Sequence, residues 1–343
     1  MSAARKRAPF ELSVTPLGLL AAAGYTACAA TALGFLGRFW WFADLFSHFR
    51  IQYLIGLAVA GAVMLFGRQL KTATGFFAFA AANLACVAPL YFGADANGAA
   101  SPALRLVLLN VNSDSGDPAR VREAIAALDP DVVALKEVNG RWMDALEPLL
   151  EEYPHVLAEP REDNFGIALF SKLPLVRPRV AEIGAAGVPS LIASVPAGSV
   201  LLDIVATHPL PPYGAEYSAL RDEQLARLAE AVDPSRPVVL LGDLNTTPWN
   251  YHFRRLLERS GLRDSARGRG PLLTWPSFCL PLRVPINHIL HSPSVTVLRR
   301  SIGPDVGSDH FPVMVDVSLR SPQQPRSVPP SPHPQSSPAL HTR

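Results

Sequence analysis

Three stretches of the chain, residues 12–37, 51–67 and 72–94, contain no Asp, Glu, Lys, Arg or His. Gly, Ala and aromatic side chains are scattered all round them, so none shows the polar face of a helix lying on a soluble core. A span of about 20 apolar residues crosses ~30 Å of hydrocarbon. The pattern therefore predicts three transmembrane helices in a membrane anchor over residues 1–94. From about residue 101 the texture changes to apolar runs of strand length separated by helical signals. Strands are predicted at 104–111, 131–138, 165–170, 191–195, 200–207, 237–241, 286–291 and 313–317. Asp117-Pro118 reads as an N-cap with proline at N1, and Val121, Ile125 and Leu128 follow on one face until Pro130 stops the helix. Further helices are predicted around 142–150 and over 215–231. Many short buried strands with helices between them imply sheet layers covered by helices, an α/β domain over residues 101–320. Residues 321–343, rich in Pro and Ser, cannot bury enough surface to offset their ordering entropy and read as a disordered tail.

Composition locates the same boundary. Of 343 residues, 49% are hydrophobic and only 17% charged, against ~25% charged in ordinary soluble domains. The shortage of charge lies in the first 94 residues, which argues against a wholly soluble protein. Lys+Arg and Asp+Glu, at 31 and 29, nearly cancel, which excludes a polybasic nucleic-acid binder. Cys28 and Cys86 lie in the apolar runs, so Cys279 stands alone in the polar part. That part has no internal disulfide and no Cys/His zinc cluster. Arg5, Lys6 and Arg7 precede the first span, and Arg68 and Lys71 crowd the link between the second and third. Basic flanks prefer the cytoplasm, so three crossings would leave everything after Ala94 outside. Phe39, Trp40, Trp41 and Phe42 then form an interfacial aromatic belt.

Several predicted strands end in polar groups that packing does not require: Asn110 and Asn112, Glu137, His208, Asp243 and Asn245, Asn287 and His288, Asp309 and His310. Strand ends converging on one sheet edge are how sites are assembled on such folds. Oxygen ligands without thiolates favour Mg²⁺ or Mn²⁺ over zinc. The absence of a Ser or Cys nucleophile motif favours direct attack by water. Hydrolysis of a phosphate ester or anhydride fits both.

The ordered set RLVLLNVN at 105–112, DVVALKEV at 131–138, Thr207-His208-Pro209, GDLN at 242–245, INHIL at 286–290 and SDHFP at 308–312 resembles the endonuclease/exonuclease/phosphatase (DNase I-like) superfamily. The resemblance covers residues 104–319, and GDLN and SDHFP are its specific parts. With apolar spans in front, and with Thr274-Trp275-Pro276 and GDLNTTPWN, it is nearest the bacterial membrane-anchored branch of VanJ- and YafD-like proteins. It implies a four-layer α/β/β/α sandwich. It further implies that Glu137 binds a divalent cation, with Asn110 beside it and Asp309 completing the metal environment. Asp243 would orient or deprotonate the attacking water, Asn245 would hold the scissile phosphate, and His208 would be a second phosphate contact. His310 would either act as base or hydrogen-bond the phosphate oxygen. Two positions depart from the family pattern, Lys136 where Gln is usual and Asn287 where Asp is usual. Asn287 can still accept a hydrogen bond from His310 but brings no charge.

The expected function is a membrane-anchored, Mg²⁺-dependent phosphohydrolase facing the extracytoplasmic side of a bacterial inner membrane. Its substrate would be a lipid-borne phosphate or pyrophosphate of the envelope. An extracytoplasmic nuclease is the less favoured alternative, with Arg254, Arg255, Arg259, Arg263, Arg267 and Arg269 as its backbone track. A phosphate-binding module weakened by Asn287 is another. His252, His288 and His291 are read as structural.

Overall fold

The structure, a computed structural model, describes residues 15–93 and 104–319. The 321–343 tail, the basic residues at 5–7 and the first residues of the 12–37 run lie outside the described residues. Helix α1 (Pro16–Gly34) starts where Thr15 caps it, its hydroxyl accepting the Gly18 N–H with proline at N1. It is followed by α2 (Trp41–Leu45), α3 (Arg50–Phe66) and α4 (Leu70–Val87), the last closing in a 3₁₀ turn over Ala88–Tyr91. Helices α1, α3 and α4 pack around Leu57, Met64 and Phe76. Gly24 allows the closest approach, since a Cβ there would meet the Phe76 ring at 2.2 Å.

Pro16–Gly34 and Leu70–Tyr91 are long and apolar enough to cross a membrane, while α3, at 17 residues, is shorter. Only 28% of the apolar stretch of each long helix is buried. Leu19, Ile55, Val59 and Phe66 face outward with more than half their surface exposed. A soluble core helix would bury such side chains.

The described residues from 104 to 319 form two six-stranded sheets. The first takes β1 (Leu104–Asn110), β2 (Val132–Lys136), β3 (His155–Glu159), β4 (Ile167–Ser171), β11 (Val295–Ile302) and β12 (Val313–Leu319) in the order β11-β12-β1-β2-β4-β3. The second takes β5 (Val176–Glu182), β6 (Pro189–Ala197), β7 (Val200–Thr207), β8 (Val238–Asp243), β9 (Arg263–Asp264) and β10 (Asn287–His291) in the order β5-β6-β7-β8-β10-β9. Leu106, Leu108, Ile204 and Leu241 belong to the core between the sheets. Helices α5 (Pro118–Leu128) and α6 (Gly140–Ala145) cover the first sheet through Val121, Ile125 and Trp142. Helices α7 (Ala215–Ala231) and α8 (Tyr251–Ser260) cover the second through Leu225, Leu228 and Phe253. The result is a mixed α/β two-sheet sandwich with helices on both outer faces. Asp117 caps α5 as predicted, accepting from the amides of Ala119 and Arg120. The helix predicted over 142–150 is instead the short α6 followed by a 3₁₀ turn at Glu147–Glu151, where Pro148 supplies no amide hydrogen.

The chain between α1 and α3 docks on this sandwich. Asp44 accepts from Arg221 Nη2 at 2.9 Å and from Asn250 Nδ2 at 2.5 Å, with the side chains of Asp44 and Arg221 2% and 0% exposed. Trp249 Nε1 donates to the His48 carbonyl at 3.2 Å, and Gln52 Nε2 donates to the Arg283 carbonyl at 2.7 Å. That segment and the sandwich therefore lie at the same end of the helical bundle.

Candidate functional site

Parallel pairing of β1 with β2 and of β7 with β8 brings four strand C-termini to one edge. Antiparallel β10 places Asn287 opposite Asp243 at that same edge. The segment entering β12 is tied there as well, the Ser308 hydroxyl donating to the Asn110 carbonyl at 2.7 Å. Sheet topology thus brings together Asn110, Glu137, His208, Asp243, Asn245, Asn287, Asp309 and His310.

Asp243 is the hub. Its Oδ2 accepts from Asn110 Nδ2 at 3.2 Å and lies 3.4 Å from His310 Nδ1 and 3.9 Å from His208 Nε2. Its Oδ1 accepts the Asn245 amide at 3.2 Å. Asn245 Nδ2 donates to the Pro209 carbonyl at 2.9 Å and is 3.4 Å from His208 Nε2. His310 Nδ1 is 2.9 Å from Asn287 Oδ1. Asn287 is fully buried, and its Nδ2 has no partner. The carboxylates of Asp243, 3.4 Å from Nδ1, and Asp309, 3.9 Å from Nε2, rather than residue 287, supply negative charge beside the His310 ring. Asp305 does not substitute for it, being an exposed carboxylate 3.6 Å from Arg120.

Glu137 has φ 62°, Asn112 φ 55° and Asn245 φ 49°, a left-handed backbone that L-residues rarely adopt and that clusters at functional sites. Asn110 Nδ2 donates to Glu137 Oε1 at 2.7 Å, while its Oδ1 accepts the Asn112 amide. Asn110 thus orients Glu137 by donating to it. Asp309 accepts from Asn112 Nδ2 at 2.8 Å and from Trp275 Nε1 at 2.9 Å. Burial pushes the Glu137 carboxyl up to about 7; the Asn110 hydrogen bond opposes this, and the Asp243 and Asp309 charges add to it. Burial also lowers the His208 imidazole to about 4. Lys136 is fully buried, its Nζ has no partner, and burial lowers it to about 7 against the pull of Asp243.

Among the described residues no three His, Cys, Asp or Glu side chains form a ready cation cage. The donors do fit a Mg²⁺-type ion held by one or two carboxylates, water and substrate phosphate oxygens, a coordination mode usual for that cation. Glu137 is the carboxylate whose ionised form most lacks compensation. A carboxyl raised in the fold makes the cation-free protein less stable as pH climbs from the ordinary carboxylate range through about 7. A cation that binds the ionised form offsets that loss. Saturating Mg²⁺ is therefore expected to raise Tm more at about pH 8 than at about pH 6, and Glu137→Gln to remove the difference. Thermal denaturation with and without Mg²⁺ measures this, and an increment independent of pH contradicts it.

These groups open into a cavity of about 580 Å³. Glu137, His208, Asp243, Asn245, Asp309 and His310 line it together with Leu45, Phe49, Phe165, Tyr213 and Tyr217. No arginine lines it. Arg263, Arg267 and Arg269 border a separate cavity, Arg255 and Arg259 a third. His288 and His291 are buried on carbonyl oxygens, and His252 pairs with Asp222 at 3.2 Å. None of the three lines the first cavity.

Sequence reasoning missed His48, Asp44 and Arg221. His48 lines the cavity, and Arg221 Nη1 donates to the Asn245 carbonyl at 3.2 Å while its Nη2 holds Asp44. A lone Asp in an aromatic loop and one Arg in a charged helix carry no local signal for a partner 177 residues away.

The sequence model of the Endonuclease/Exonuclease/phosphatase family matches residues 107–310. No curated protein matches the chain. Among solved structures, an endonuclease/exonuclease/phosphatase from Beutenbergia cavernae DSM 12333 is 22% identical with TM-score 0.50, over 63% of this chain and 71% of that one. The human Nocturnin catalytic domain, solved with a bound sulfate anion, is 20% identical with TM-score 0.52, over 63% and 94%. D. rerio TDP2, complexed with a single-strand DNA product, is 18% identical with TM-score 0.54, over 63% and 99%. At these identities the neighbours share the fold. The match over residues 107–310 takes in more than half of the chain, from the first strand to His310, and on it the protein belongs to the endonuclease/exonuclease/phosphatase family of phosphoester hydrolases.

Proposed function

We propose that this protein is a membrane-anchored, Mg²⁺-dependent phosphohydrolase that acts on a lipid-borne phosphate ester or anhydride outside the cytoplasm of a bacterium. The observation that carries this reading is the single cavity whose walls come both from the reacting groups and from the segment joining two apolar helices. Glu137 would hold a divalent cation, with Asp309 and the Asn110 amide close by, and the cation would supply charge neutralisation at the phosphate. Asp243 orients the attacking water and accepts its proton, and Asn245 Nδ2 with the neutral His208 ring contacts the phosphate oxygens. His310, held by Asn287 Oδ1, contributes a further donor where charge develops.

Membrane placement is supported by the exposed apolar faces of α1 and α3 and by the docking contacts. Residues 35–49 and the sandwich share one end of the bundle, while Arg68 and Lys71 sit at the α3–α4 turn, at the opposite end. For both to lie on one side of a bilayer, α3 and α4 must cross as a pair, which favours the three-span count with the domain outside. Likeness to VanJ- and YafD-type proteins names undecaprenyl pyrophosphate or a related envelope lipid as the specific substrate. A nuclease is less favoured, because the arginines that would track a phosphate backbone lie outside the cavity.

Phosphate release from such a lipid in mixed micelles with Mg²⁺ tests the proposal. Wild type should release phosphate at least about 100-fold faster than Glu137→Ala. Equal release by both proteins, or strongly salt-sensitive cleavage of DNA in place of lipid hydrolysis, overturns it.

A further inference from the structure

We infer that the segment between α1 and α3 is itself a part of the substrate site, and that Leu45 and Phe49 bind the apolar chain of an amphiphilic phosphate substrate. The inference rests on the hydrolase reading above and names what that site recognises besides phosphate.

Four observations point to it. Leu45, His48 and Phe49 line the same cavity as Asp243 and His310, so a molecule whose phosphate reaches the reacting groups meets this wall. The wall is fixed, because Asp44 is buried on Arg221 and Asn250, and the His48 carbonyl accepts from Trp249. Leu45 and Phe49 are only half-buried, and they share the cavity lining with Tyr213 and Tyr217. The wall also offers one unpaired polar atom. His48 is 8% exposed, its Nδ1 lies 3.2 Å from Thr247 Oγ1, and its Nε2 has no partner. A cavity that carries apolar side chains along with the reacting groups matches a ligand with a polar head and an apolar tail.

The test uses the full-length protein in detergent with Mg²⁺ and a series of alkyl phosphates and alkyl diphosphates with chains of about 2, 8 and 16 carbons. In wild type, kcat/KM rises with chain length. In Phe49→Ala and Leu45→Ala the ratio of kcat/KM for the longest to the shortest chain falls about 10-fold, the value expected for losing part of one buried apolar side chain's contacts. Phe49→Leu restores most of that ratio. Partition of long chains into micelles is the same for all variants, so comparing ratios removes it. Calorimetric binding of alkyl phosphonates of the same lengths reads the wall without turnover and also applies to a variant that is inactive. An unchanged ratio in both alanine variants, or phosphonate affinity independent of chain length, overturns the inference. Chain-length-dependent phosphonate binding without hydrolysis of any member overturns the hydrolase reading and leaves the wall standing.

Discussion

Asp243→Asn is expected to lower turnover by about 10³-fold with little change in KM, because it removes the proposed base while keeping the side chain's shape. The carboxylate lies among four groups that meet nowhere else: the Asn110 amide, the His310 and His208 rings, and the Asn245 backbone N–H. An asparagine keeps the volume at a position only 1% exposed but presents an amide to some of these donors and cannot take a proton from water. Activity assays with circular dichroism and Tm on the same preparation separate lost chemistry from lost fold. A variant that keeps its fold and more than about a tenth of wild-type kcat removes Asp243 from the reaction, because general-base catalysis is worth 10² or more.

Asp44→Ala destabilises the protein by about 3–5 kcal/mol, the range for breaking a buried ion pair by deleting one partner. Arg221 would keep Asp222, 2.8 Å away, but lose the carboxylate that is buried with it. The Asn250 amide would lose its acceptor at the same time. In a domain of this size such a loss lowers Tm by roughly 10 °C. Turnover falls as well, since Arg221 also holds the carbonyl of Asn245 and so the residue placed against phosphate. Asp44→Asn, which retains an acceptor, lies between the two. A Tm shift below about 2 °C for Asp44→Ala shows that the contact contributes little to stability.

The division between what could and could not be read from the sequence follows the sheets. All eight strands anticipated from apolar runs are interior strands, and the four that were not, β3, β5, β9 and β11, are the four sheet edges. Interior strands are covered on both faces and must be apolar throughout, which leaves a visible run. Edge strands carry charges and prolines that discourage pairing with other chains. In β5, VRPRVAE, most positions are exposed and no period-two pattern survives. The site was legible for a related reason: polar residues at the ends of apolar strands stand out, and sheet topology collects those ends on one edge. What could not be read is the set of contacts between distant segments. His48, Asp44 and Arg221 matter through partners that neither periodicity nor local motif names. The expectation that Asn110 belongs to the metal environment came from the family resemblance, and the orientation of its amide toward Glu137 and Asp243 appears only in three dimensions.

The Asp44–Arg221 contact also sets an order of events during synthesis. Asp44 emerges 177 residues ahead of its partner, and at 5–20 residues per second that is a wait of roughly 10 to 35 s. For that interval the early helices exist with a carboxylate, His48 and Gln52 that have nothing to bind. A chain that stops before residue 221, or whose second half misfolds, keeps this polar face open.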